Sequence, residues 1–243
     1  MEDLNKLSKE IINLKDSEKI NDILIQLSKN VTQDVIPIVD CLITELDINQ
    51  LNKVNLNLIF LIGELGNIME LEPRHLDYLI NSYYKSDRWV RNEIMQAIFK
   101  ILKFRTPDNL ILNLIEDGLK EDYEPIQVNS LRVLNLYDEI PPETHRIILS
   151  MLKPIKSDLI ELAVKILNKP FKNEEEIYKF LDCHQNYKIL NKEKIRIILT
   201  EFLPSIHQLE NFQKKITDSD WQDEIKTMIL QEIMTLERIF LKS

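Results

Sequence analysis

The residues best equipped for chemistry are four histidines (His75, His145, His184, His207), two cysteines (Cys41, Cys183) and the run Glu174-Glu175-Glu176. A metal centre needs ligands one helical turn apart or brought together by the fold, and no two histidines share such a spacing. Cys183-His184 offers a nucleophile beside a base, but neighbours on a helix point about 100° apart, so these two are expected not to hydrogen-bond. The glutamate run follows Asn173 and opens a helix, where carboxylates meet the positive end of the dipole. These residues lead us to expect no catalytic site, no metal and no cofactor. A recognition cluster is different: Tyr83, Tyr84, Arg88, Trp89 and Arg91 combine the side chains that dominate interface hot spots.

What positions these residues emerges from a repeat. One helical stripe, apolar at position 0, usually polar at +1 and apolar or small at +4 and +7, recurs six times. Its starts are Ile20, Val54, Val90, Ile126, Leu159 and Ile195, spaced 34, 36, 36, 33 and 36 residues apart. Between them lie amphipathic helices expected over 32–46, 73–85, 107–120, 141–153, 174–184 and 204–216. Pro37, Pro73, Pro107 and Pro141 echo the period; Pro37 is expected to kink its helix, the others to open theirs. A leading helix over 3–14 opens the array and one over 221–241 closes it. The latter carries a stripe of Ile225, Ile229, Ile233, Leu236 and Phe240, which either caps the array or docks on another chain.

The spacing predicts an all-α fold, an α-α superhelix of about six helix pairs plus a C-terminal helix. It is read as one domain over residues 1–243, with units near 1–30, 31–69, 70–105, 106–139, 140–170 and 171–204 and a helical cap over 205–243. Within that frame Trp89 occupies a place held elsewhere by Lys19, Lys53, Pro125, Asp158 and Lys194. A place that is polar or Pro in every other unit is exposed, so Trp89 is expected to face solvent.

The stretch from Ser86 to Ile98 resembles the second helix of a HEAT repeat, with Asp87 followed by Val90-Arg91 and by Ile94 and Ala97. The resemblance implies a HEAT-like solenoid over nearly the whole chain. It also implies a polar ladder between units formed by Asp87 and Arg91. Asn21, Asn55, Gln127 and Ile160 stand where the Arg would be, and Arg196 restores it, so the ladder is expected to be broken outside the third unit. Tetratricopeptide repeats share the period but place Gly and Ala at tight helix crossings, and this chain has only two alanines. The HEAT-repeat deoxyhypusine hydroxylases hold iron through His-Glu pairs, and no histidine here precedes a glutamate.

The bulk numbers narrow the function classes. Of 243 residues 44% are hydrophobic and only 3 are Gly, which disfavours folds that need glycine in turns and phosphate loops. Gly63, Gly66 and Gly118 are expected at helix ends. A net charge of −9, spread along the chain, disfavours nucleic acid as a partner. An acidic N-terminus, the lack of any apolar run of about 18 residues and the low cysteine count suggest a cytoplasmic chain without a transmembrane segment. The expected function is a non-catalytic scaffold or adaptor that binds a protein or peptide, with self-association through the C-terminal helix as a further expectation. The competing reading is a HEAT-like enzyme, such as an alkylpurine DNA glycosylase or a tetrapyrrole lyase. The glycosylase version would use Trp89 with Glu93, or Trp221 with Asp223, on a basic surface.

Overall fold

The computed structural model describes residues 16–106, 108–155 and 157–240, without the side chain of Phe240. The leading helix expected over 3–14, Pro107 with the helix start expected there, and the chain end past 240 lie outside the described residues. Within them the protein is all-α, with thirteen α-helices and no strand. The chain forms two compact units, within residues 1–137 and 138–243.

The first unit contains α1 (Ser17–Lys29), a 3-10 turn (Gln33–Val35) leading into α2 (Ile36–Glu45), α3 (Ile48–Gly66), α4 (Pro73–Tyr83), α5 (Arg88–Ile101), α6 (Asn109–Leu119) and α7 (Glu124–Leu134). Successive second helices pack on one another, α1 on α3, α3 on α5 and α5 on α7, while α4 lies on α5 and α6 on α7. The stripe is what they bury. Ile20, Leu24, Val54, Leu58, Leu61, Ile62, Ile94, Ala97, Ile98, Ile126, Val133 and Leu134 are all buried, each larger aliphatic chain contributing about 1.5–3 kcal/mol relative to exposure. Val90 and Leu27 are only half-buried.

Aspartates mark the helix starts. Asp16, Asp47, Asp87 and Asp108 each accept two backbone N–H bonds from the first turns of α1, α3, α5 and α6, a cap being typically worth about 1 kcal/mol. Pro37 does not kink a helix. The preceding residues form the 3-10 turn, so α2 begins at Ile36 and Pro37 stands in its first turn, where a missing N–H costs no helical bond.

Gly66 and Gly118 stand at the ends of α3 and α6 as expected, whereas Gly63 lies inside α3. None has positive φ, so none is a left-handed cap. A Cβ on Gly63 would stand 3.0 Å from the Ala97 Cα, one on Gly66 2.3 Å from Ile101 Cγ1, and one on Gly118 2.3 Å from Ser130 Oγ. All three therefore sit at close helix crossings: α3 against α5 for the first two, α6 against α7 for the third. Small residues at tight crossings are thus present even though alanine is scarce.

Polar bonds repeat with the same period. Asn57 donates to Asn21 at 2.8 Å, Lys100 to Glu64 at 2.8 Å, Lys103 to Asn67 at 2.5 Å and Asn129 to Asn92 at 2.9 Å, spanning 36, 36, 36 and 37 residues. Where Arg is replaced by an amide the place still makes a polar bond, between units at Asn21 and Asn55 and within its own unit at Gln127, whereas Ile160 makes none. Asn21 donates to the Lys53 carbonyl at 3.1 Å, Asn55 accepts from the Tyr78 hydroxyl at 2.6 Å, and Gln127 donates to the Glu121 carbonyl at 2.7 Å. Amides can serve as tethers because they both donate to backbone carbonyls and accept from hydroxyls. Asp87 is used instead as the helix cap.

The second unit contains α8 (Pro142–Met151), α9 (Asp158–Leu167), α10 (Glu174–Asp182), a 3-10 segment (Cys183–Ile189), α11 (Lys192–Phe202), α12 (Ile206–Asp218) and α13 (Asp223–Phe240). Here α8 packs on α9, α10 on α12, and α13 on both α11 and α12. Ile229 and Ile233 of α13 are buried, so the C-terminal helix caps this unit with that part of its stripe.

Glu232, also on α13, has a side chain only 5% exposed and accepts from Arg196 at 2.5 Å, with Lys192 at 3.3 Å. Burial opposes its charge, but the hydrogen bonds from Arg196 and then Lys192 outweigh burial and hold its pKa below the usual carboxylate value. The native state therefore binds fewer protons here than the unfolded chain. This stabilisation is complete above the unfolded carboxylate pKa of about 4.3 and is lost as pH falls through the lower native value. Glu232→Gln should lower stability at pH 7 by about 1 kcal/mol, a modest cost because both cations are solvated. It should also flatten the acid limb of a urea-denaturation series below about pH 5. A wild-type and variant pair with parallel limbs would remove this assignment.

Candidate protein-binding surface

With Asp87 capping α5, Arg88 and Trp89 fall in the first turn, where side chains project from the helix end towards the preceding turn of chain. Trp89 is 57% exposed and Tyr84, just past the end of α4, is 58% exposed. Trp89 meets Tyr123 edge-to-face, centroids 5.6 Å apart. The Arg88 guanidinium lies 5.1 Å from the Trp89 ring and 5.2 Å from the Tyr123 ring. Such cation-π contacts add roughly 0.5–1 kcal/mol each at exposed sites and fix the rings before any partner arrives.

Tyr83 and Arg91 lie beneath this surface. Tyr83 is 2% exposed, its hydroxyl donates to Glu121 at 3.3 Å, and burial followed by the Glu121 charge pushes its pKa up. Arg91 pairs with the same Glu121 at 3.2 Å and lies 5.8 Å from the Tyr83 ring. Tyr83 then contacts Tyr84 edge-to-face at 5.5 Å, and the Tyr84 hydroxyl donates to Asp117 at 2.9 Å. So the five residues chosen from sequence do come together, as three at the surface and two in the layer that supports them.

Sequence reasoning missed Tyr123 and Glu121. A signal was present: Tyr123 follows Trp89 by 34 residues, one period, so consecutive units place them side by side.

The other chemical candidates are placed differently. His75 is buried with Nε2 2.8 Å from Asp40. His145 is buried with its ring edge-to-face on Phe180, and burial lowers its pKa. Among the described residues no three His, Cys, Asp or Glu side chains converge as metal ligands would. Cys183 and His184 do hydrogen-bond, Sγ to Nδ1 at 2.9 Å, against expectation. The reason is that α10 ends at Asp182, and His184 and Gln185 take left-handed backbone angles, φ 51° and 57°, which swing the two side chains together. Both are exposed. Trp221 is buried and stacked on Tyr178 and Tyr187, so it presents no exposed ring beside Asp223. Glu174 and Glu175 of the acidic run accept from Asn211 and Lys215 of α12, which joins two elements as well as serving the helix dipole.

No family model matches the sequence, and no curated protein matches it. Among solved structures, the crystal structure of an engineered protein from the Northeast Structural Genomics Consortium is similar, with a TM-score of 0.54 at 16% identity over 97% of this chain and 98% of that one. That likeness concerns the fold alone. Among the described residues no helix is long and apolar enough to cross a membrane.

Proposed function

We propose that this chain is a non-catalytic adaptor of the HEAT-like kind, cytoplasmic, which binds a protein or peptide through the surface formed by Tyr84, Arg88, Trp89 and Tyr123. The observation that carries the reading is the exposed Trp89, held at 57% exposure between Arg88 and Tyr123 rather than folded into the core. A large ring kept in water costs solvation free energy in the isolated chain. A partner that covers it recovers that cost, and the ring is already in place, so little side-chain entropy is lost on binding.

Trp89→Ala should reduce partner affinity by about 2 kcal/mol or more, roughly 30-fold, while lowering the unfolding free energy by only about 1 kcal/mol through the lost contacts with Arg88 and Tyr123. The check is capture from native lysate by immobilised wild type and variant, read by quantitative mass spectrometry, with Ile48→Ala as a control at another exposed apolar residue. Proteins retained equally by all three would overturn the assignment of this surface.

A further inference from the structure

The second unit contains a cleft of about 540 Å³ between α9 and α11. Its walls include Ile160 and Val164 of α9 and Ile197 of α11. In the first unit the corresponding space is closed by direct helix-on-helix packing, with Gly63 against Ala97. One residue of its wall departs from the pattern of the other units. Ile160 stands at the +1 place that holds Asn21, Asn55, Arg91, Gln127 and Arg196 in the other units, and all five of those make a polar bond. An isoleucine cannot tether, and it adds an aliphatic wall instead. At the mouth Ile155 is 67% exposed.

The rim is acidic on both sides, with Glu161 on α9 and Glu193 and Glu201 on α11. Two cations also line the cleft. Arg196 is committed to Glu232, which leaves Lys153 against three carboxylates. Glu193, Ile197 and Glu201 follow at i, i+4 and i+8, a length of about 12 Å along the helix. That is about two turns of an inserted helix.

The geometry points to a second binding site, distinct from the aromatic surface: the α9–α11 cleft receives an amphipathic helical segment of another protein, with aliphatic anchors at i, i+3 or i+4 and i+7 and Lys or Arg on both flanks. The aliphatic anchors fill the space beside Ile160, Val164 and Ile197, as helix-in-groove recognition requires. The flanking cations meet the Glu161, Glu193 and Glu201 carboxylates, which set orientation and exclude acidic segments.

The test is fluorescence anisotropy of the full chain with a labelled 16-residue peptide of Leu at those spacings and Lys elsewhere, beside a twin carrying Glu for Lys. The Lys peptide should bind, and the Glu twin at least tenfold more weakly at low salt. Ile160→Asn, which restores the residue type of the other units without altering charge, should weaken the Lys peptide at least tenfold. Glu201→Lys changes only an exposed side chain, so it remains readable if Ile160→Asn proves unstable, and it should weaken binding at least fivefold. Trp89→Ala should change binding less than twofold, so failure here and failure of the aromatic surface are separately visible. No binding of the Lys peptide, equal affinity of wild type and both cleft variants, or cleft-dependent binding of an apolar dye such as anilinonaphthalene sulfonate without peptide competition would each overturn the proposal.

Discussion

Trp221→Ala will destabilise the chain by about 3–5 kcal/mol, the usual cost of removing a buried aromatic ring. Trp221 is 4% exposed. It lies parallel to Tyr178 at 5.4 Å and to Tyr187 at 4.6 Å, with interplanar angles of 5° and 13°, and its Nε1 donates to Asp182 at 2.8 Å. One side chain therefore joins α10, the 3-10 segment and the start of α13. Alanine would leave a void between two tyrosine faces that cannot collapse without moving a helix. The fall in Tm should be roughly 6–20 °C for a chain of this size. Trp221→Phe keeps much of the stacked area and frees only an exposed carboxylate that water can solvate, so it should cost about 1 kcal/mol. Urea denaturation followed by far-ultraviolet circular dichroism is the measurement, because each variant removes the tryptophan that would otherwise report on this core. An alanine variant within about 1 kcal/mol of its parent would show that the stack is dispensable.

The fate of the two tryptophans shows how far the sequence can be read. Periodicity locates the described α-helices to within a few residues at most of their ends, because a stripe at 3.6-residue spacing must be buried wherever it occurs. Trp89 is legible as exposed because the aligned place in other units is polar or Pro. Trp221 has no such aligned place, since it lies in the connection before α13, and nothing local distinguishes a tryptophan that packs from one that does not. Its partners Tyr178 and Tyr187 are 43 and 34 residues earlier in the chain.

The same limit applies to the candidate surface. Tyr83 and Tyr84 are adjacent, yet one is 2% and the other 58% exposed. That split depends on where α4 ends, and helix ends are the least certain feature of a periodic pattern. The Cys183-His184 bond escapes sequence reading for a related reason: it exists because the backbone turns left-handed at two non-glycine residues, which L side chains disfavour. By contrast, Ile160 is visible in the sequence as the odd residue at +1. That it lines an open cleft needs the neighbouring helices to be seen.

Gly63→Val will destabilise the chain by about 3 kcal/mol, and the reason corrects the reading of Gly63 as a helix terminator. If Gly63 were a left-handed cap, any side chain would be penalised by backbone strain alone. It lies instead inside α3 without positive φ, and its role is to let α5 approach. A Cβ there would stand 3.0 Å from both the backbone Cα and the side-chain Cβ of Ala97. The crowding against the backbone atom decides the outcome, because a backbone atom cannot step aside by changing rotamer. Two opposing terms meet at this position. Replacing a mid-helix glycine gains up to about 1 kcal/mol of propensity with Ala and less with Val, while overpacking costs about 1–3 kcal/mol and more for a branched chain. Gly63→Ala should therefore be destabilised by about 1 kcal/mol, and Val by about three times that. Moving α5 outward would also stretch the Lys100 to Glu64 and Lys103 to Asn67 bonds that cross the same pair of helices. Ala97→Gly in the Val background removes the methyl that the new side chain meets but leaves the main chain where it was, so it should restore less than half of the loss. Urea denaturation of the four chains is the measurement, and a Gly63→Val chain as stable as wild type would show that the two helices are free to separate.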